Sequence, residues 1–397
     1  MPTINHEYQG GCWPTPEQEL LLQAALRQGE TSLKAWREWK STLDFDNIDY
    51  GSQRLVPLLY RNLQRQGVKD PLMGKFKGLY RHTWYKNQLL FAKGAQLLRS
   101  FHEAGIETMI LKGAALVLLH YKDAGLRAMT DFDVLVPTEQ IQAALFLLRE
   151  RNWTPKLRSY ESLTETYISS RHAYAFEDNE KHEFDLHRHL LAECCYPDAD
   201  EEFWKGAVSS QVQGVATLAL NPTDQLFHVC VHGVRWNAVP PLRWVADAIM
   251  ILNSSPTIDW QRLVSQARQR RLVLPLREAL TYLRDLLDAP IPPAILQHLQ
   301  EIPVSKIERL EYQVNTRVPG PMGGVPMAWF LYLRLSPSAS TLPQRLIGFP
   351  KYLQDTWAVE HLSQLPFVMA SKGKRRITTW SRTQLAPILR LKARHDK

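Results

Sequence analysis

Cysteine is scarce: the 397 residues contain four, Cys12, Cys194, Cys195 and Cys230, with no C-x-x-C pair among them. This excludes a disulfide framework and a zinc knuckle, and makes a reducing, cytoplasmic compartment the expected setting. Long hydrophobic runs are also missing. The longest near the end, residues 327–332 (MAWFLY), is far too short to cross a bilayer, so no membrane span is expected. Residues 1–19 show no basic-then-apolar leader, which argues against a signal peptide. There is no internal repeat and no low-complexity tract. What is there is ordinary globular composition, 45% hydrophobic and 22% charged, in a chain long enough for two or three domains.

The net charge of +8 is unevenly placed: residues 372–397 carry nine Lys/Arg and one Asp, which leaves the remainder neutral. Such a tail suits a polyanion such as RNA, an acidic partner or a membrane surface, or is a solvated terminus with no dedicated partner. The twelve tryptophans are scattered along the chain and read as packing residues, not as a base-stacking platform.

Residues 16–104 read as helical. Pro16 stands at a plausible first helical position, and segments 32–40 and 55–65 have helix-compatible apolar spacing. A long helix over 80–103 carries the stripe Leu89, Leu90, Ala92, Ala95, Leu97, Leu98 and Phe101, and Gly105 stops it. Strands are expected over 106–111, 131–136, 172–177 and 182–187, with helices over 114–120 and 139–151 and a polar turn at 178–181. From Pro222 the chain is helical again, over 223–232, 241–252, 260–270 and 273–287. Beyond Pro290, Pro292 and Pro293 it breaks into short helices with Pro-rich joints at 318–326, 335–343 and 348–350.

The chemistry concentrates in residues 111–137, LKGAALVLLHYKDAGLRAMTDFDVLVP. Side chains at i and i+2 of a strand share a face, so Asp131 and Asp133 project together while Phe132 and Val134 turn to the core. Two adjacent carboxylates repel and call for a cation, and oxygen ligands suit a hard ion such as Mg²⁺ or Mn²⁺. Upstream, Lys112 and Gly113 open a helix directly after an apolar strand, a place that receives phosphate. Asp185, mid-strand in the sequence EFDLHRHL, is a third carboxylate for the same cluster. A phosphate cradle followed by a carboxylate metal site is the apparatus of phosphoryl or nucleotidyl transfer.

Nearby residues admit blander roles. Arg127 offers a planar fork to phosphate or pairs with Asp123 or Asp131. His187 reads as a hydrogen-bonding partner of the carboxylates. His228 and His232 have zinc-like spacing but lack the glutamate of H-E-x-x-H, which favours a structural or nucleotide-facing role. Arg243 and Asp247, also four apart, read as a helix-face ion pair.

Three blocks carry a resemblance: LKG…Y…GLRAMTDFDVLVP, EFDLHRHL and HVCVHGVRWNAVPPLRWVADAIMIL, spread over residues 85–290. In this order they resemble the bacterial uncharacterised nucleotidyltransferase family of the DNA polymerase β superfamily. The resemblance implies an α+β fold: a minimal polymerase-β-like core, a small mixed sheet with flanking helices, between helical N- and C-terminal regions. The expected division is 1–84 helical, 85–215 core, 216–300 helical, and 301–397 a helical extension with the basic tail. It also implies an NTP donor, a divalent metal on Asp131, Asp133 and Asp185, and donor contacts from Lys112, Gly113, Arg127 and His232. Asp185 would then activate an acceptor hydroxyl or phosphate of unspecified kind: a small molecule, a peptide or an RNA end. One departure stands out. Most of the superfamily has Gly-Ser at the turn after the first strand, whereas this chain has Lys112-Gly113-Ala114, a point charge in place of a hydroxyl. That keeps γ-phosphoryl transfer open as an alternative, as is a non-catalytic nucleotide- or RNA-binding role.

Overall fold

The computed structural model describes residues 11–318, 324–336, 340–357 and 359–371. The basic tail at 372–397 and parts of the Pro-rich joints at 318–326 and 335–343 lie outside the described residues.

Helices come first: α1 (Pro16–Leu26), α2 (Gly29–Thr42), the single turn α3 (Tyr50–Gln53), α4 (Val56–Arg65) and the 31-residue α5 (Met73–Glu103). Thr15 and Gln18 form a reciprocal capping box at the start of α1, satisfying amide groups that the helix itself cannot. Gly105, at φ +70°, ends α5, with the Gly105 and Ile106 amides turned back on the His102 and Phe101 carbonyls. The sheet region follows: β1 (Met109–Ile110), α6 (Lys112–Leu116), β2 (Phe132–Leu135), α7 (Ile141–Glu150), β3 (Thr154–Pro155), α8 (Glu165–Ser169), β4 (Ala173–Glu177), β5 (Glu183–His187), α9 (Glu201–Lys205), β6 (Val208–Val212) and β7 (Val215–Ala219). Then come α10 (Pro222–Gly233), α11 (Arg243–Ser254), α12 (Trp260–Gln269), α13 (Val273–Leu287), α14 (Pro293–Glu301), α15 (Lys306–Thr316), α16 (Val325–Leu335) and α17 (Leu342–Trp357). Among the described residues no helix is long and apolar enough to cross a membrane.

The seven strands order as β3-β4-β5-β2-β1-β7-β6. The β2–β5 and β1–β7 pairs are parallel and the rest antiparallel, which makes a mixed sheet of α+β type. Three of these strands go beyond the expected four. The hairpin β6–β7 turns at Gln213 and Gly214, both at positive φ, and its polar faces (Ser209, Ser210, Gln211, Thr217) hide the alternation that marks a strand. The helix expected over 114–120 is present but changes form within its length. After α6 the chain widens through 117–121 and closes with Lys122 in the left-handed region, its amide on the Val117 carbonyl.

Strand alternation divides the sheet between two apolar cores. Phe132, Val134, Phe176, Phe184 and Leu186 face one core, shared with Phe91, Ala95, Leu98 and Phe101 of α5 and Ala144 and Leu148 of α7. Met109, Leu111 and Leu135 face the other, which joins α1, α2 and α4 to α10–α14. The first core rests on a close approach: a Cβ at Gly94 would lie 2.4 Å from the Phe132 ring. Gly94→Ala therefore forces the ring or α5 aside, and urea unfolding should show a loss of about 1–3 kcal/mol. A variant as stable as wild type would mean that the contact is slack.

Candidate active site

The parallel register of β2 and β5 sets Asp133 opposite Asp185 and Leu135 opposite His187. With Phe132 and Phe184 committed to the α5 core, alternation turns Asp133, Asp185 and His187 to the opposite face. Asp131 sits two residues before Asp133, half-buried at the mouth of β2, where it accepts a hydrogen bond from Thr130 Oγ1 at 3.3 Å. The structure thus brings together the elements bearing all three predicted carboxylates.

Lys112 comes from the turn after β1. Its Nζ lies 2.6 Å from Asp133 Oδ1, and the same oxygen accepts from His187 Nε2 at 3.0 Å. Burial works against ionising Asp133, but the Lys112 charge and the His187 hydrogen bond outweigh it and hold the carboxyl far below the usual range. Asp185 goes the other way. Burial and the neighbouring Asp133 charge raise its pKa, with Lys112 opposing, and no described residue donates a hydrogen bond to it. One oxygen of Asp133 is doubly engaged, whereas Asp185 accepts from no described donor.

This donor set fits a hard divalent cation. Asp133, Asp185 and His187 offer ligand atoms within 4.8 Å of one another, and Asp185 has oxygens to give. A second group on the β4–β5 turn, Asp178, Glu180 and His182, is partly taken up by Lys93, whose Nζ is 2.7 Å from Glu180.

The turn itself is unusual. Lys112 has φ +43°, the left-handed region that L-residues seldom occupy. Gly113 is required by crowding, since a Cβ there would be 2.8 Å from Arg127 Nη1 and 2.9 Å from Met129 Sδ.

Beside the carboxylates opens a cleft of about 290 Å³ whose walls include Arg54, Lys112, Arg127, His228, His232 and Arg243. Arg127 is buried and held by Asp247 through Nε at 2.7 Å and Nη2 at 2.9 Å, leaving Nη1 toward Gly113. Its partner is therefore neither Asp123, which pairs with Arg61, nor Asp131. The expected Arg243–Asp247 helix-face pair does not form either, because Asp247 turns inward to Arg127 and Tyr121. Arg243 makes one long bond, 3.4 Å, to the Ala128 carbonyl. Burial, with Arg127 and Arg54 nearby, pushes the Arg243 guanidinium down to about 10. Arg54 Nε is buried without a partner. The cleft therefore holds more positive charge than Asp247 can neutralise.

His228 and His232 stack edge to face at 5.6 Å, the first buried and the second exposed on the cleft wall. Burial, then the Lys112 charge, pushes His228 down to about 3 and holds it neutral. His189 turns away and pairs with Asp200 at 2.7 Å. The sequence reading missed Arg54, which sits outside every recognisable motif on the turn after α3. It saw Arg243 but gave it a local partner.

A mixed sheet with paired carboxylates, a lysine-glycine turn after its first strand and a cationic cleft alongside fits the core of a nucleotidyltransferase. Residues 51–288 match the family described as Uncharacterised nucleotidyltransferase, and the chain belongs to that family. The match starts at α3, so Arg54 lies inside it. No curated protein matches the chain.

Proposed function

We propose that the protein transfers a nucleotidyl group from an NTP to a hydroxyl or phosphate acceptor, with Asp131, Asp133 and Asp185 as the catalytic and metal-holding carboxylates. The observation that supports this best is the Asp133–Asp185 register beside an arginine-lined cleft with surplus positive charge. The donor phosphates lie in that cleft, contacted by Lys112, the Gly113 amide, the free Nη1 of Arg127, Arg54 and Arg243, with His232 on the wall. Mg²⁺ or Mn²⁺ at the carboxylates supplies charge stabilisation at the α-phosphate. Asp185, with its raised pKa, takes the acceptor proton. The acceptor oxygen bonds to the α-phosphorus while the bond to the bridging oxygen breaks, and pyrophosphate leaves with that electron pair.

The acceptor enters from the far side of Thr130. A larger cleft of about 680 Å³ opens there between α3, α5 and residues 181–183, sharing Tyr50 and Arg54 with the donor cleft. Incubation with α- and γ-labelled ATP, Mg²⁺ and fractionated cell metabolites tests the reading. Label from the α position should enter product with release of pyrophosphate. Transfer of γ-label with release of ADP would favour the kinase reading, which the lysine-led turn keeps in view.

A further inference from the structure

We propose that Lys112 is a resident counter-charge that takes the place of a second metal, so that the site accepts one divalent ion per chain. The assignment rests on the metal-dependent reading above, but its test does not depend on turnover.

Two ions about 3.5–4 Å apart are normally bridged by shared carboxylate oxygens. The one deeply buried carboxylate of the site is Asp133, 1% exposed. Its Oδ1 already accepts from both Lys112 at 2.6 Å and His187 at 3.0 Å, which leaves Oδ2 alone for metal. The remaining oxygens belong to Asp185 and to the half-buried Asp131, whose Oδ1 accepts from Thr130 Oγ1, a set suited to one ion. Charge gives the same answer. Three aspartates bring three negative charges, Lys112 removes one, and a single divalent ion balances the rest. Before the donor's phosphates arrive, two ions beside the ammonium would leave the pocket with surplus positive charge, next to a cleft already rich in arginine.

The backbone holds the ammonium there. Lys112 keeps φ +43° although glycine suits that conformation, and Gly113 after it is locked against Arg127 and Met129. The side chain leaves a turn that cannot re-aim it. The neighbouring His228, buried and neutral, neither competes for Asp133 nor adds to the charge.

Electron paramagnetic resonance of bound Mn²⁺, with and without α,β-methylene ATP, reads the ion count directly. Wild type should bind one Mn²⁺ with a mononuclear spectrum. Lys112→Gly, which suits the backbone, should bind two and give the spectrum of a coupled pair, and Lys112→Met the same. Lys112→Arg should keep one. A coupled pair in wild type, a single ion in the glycine and methionine variants, or no bound Mn²⁺ in wild type overturns the assignment. Should wild type bind one Mn²⁺ yet transfer no nucleotide, the proposed function falls while the ion count stands.

Discussion

Asp247→Ala should cost the protein about 3–5 kcal/mol, read as a fall in the urea midpoint by circular dichroism. Asp247 is 4% exposed and sits at the centre of a polar knot. It takes two hydrogen bonds from Arg127, at 2.7 and 2.9 Å, and one from Tyr121 Oη at 2.8 Å. Its removal strands a buried guanidinium close to Arg54 and Arg243, with only its Nη1 side turned to the cleft. The penalty comes mainly from that abandoned charge, not from the lost bonds. The double variant Arg127→Met/Asp247→Leu removes both charges and should recover most of the loss. A single variant within about 1 kcal/mol of wild type would show that water or another group already serves Arg127.

Asp185→Asn should lower the rate of nucleotidyl transfer about 10²–10⁴-fold while leaving the fold intact or slightly firmer. The sign on stability follows from the raised pKa. A carboxyl that holds its proton more tightly folded than unfolded loses stability as pH rises through the interval between its two pKa values. At neutral pH the ionised Asp185 is thus a net liability to folding, because it is half-buried beside ionised Asp133. Asparagine keeps the shape and drops the charge. Initial rates with α-labelled ATP, together with thermal unfolding at pH 7, separate the two effects. Full transfer activity in Asp185→Asn would remove Asp185 from its catalytic role. Marked destabilisation would mean that its charge serves the fold.

Local patterns made part of this structure legible. Strand alternation placed Asp133 on the face away from Phe132 and Val134, and the polar turn after β4 announced a strand bearing Asp185, whereas Asp131 lies just before β2 begins. Gly105 marked the end of α5, and the Lys112-Gly113 turn was visible before any coordinates. Failures came wherever the deciding partner was remote. Asp247 has a candidate four residues away, Arg243, and a true one 120 residues away, Arg127. Burial favours the distant pair because it satisfies two groups that neither helix face could leave dry. Arg54 reaches the cleft only because α3 packs over it. The β6–β7 hairpin went unread since its strands pair at a sheet edge, where one face needs no apolar side chains.

The core that faces Leu111 and Leu135 draws helices from both ends of the chain. Tyr282 Oη bonds to Glu19 across 263 residues of sequence, and the Leu286 carbonyl to Arg27 across 259. On a ribosome that adds roughly 5–20 residues per second, α1 emerges some 10–50 s before α13 can meet it. In that interval α1 has α2 and α4 to pack against, while the side of the core that α13 closes waits for the rest of the chain. The sheet with its carboxylates is complete in the nascent chain before the half-built scaffold beneath it can close.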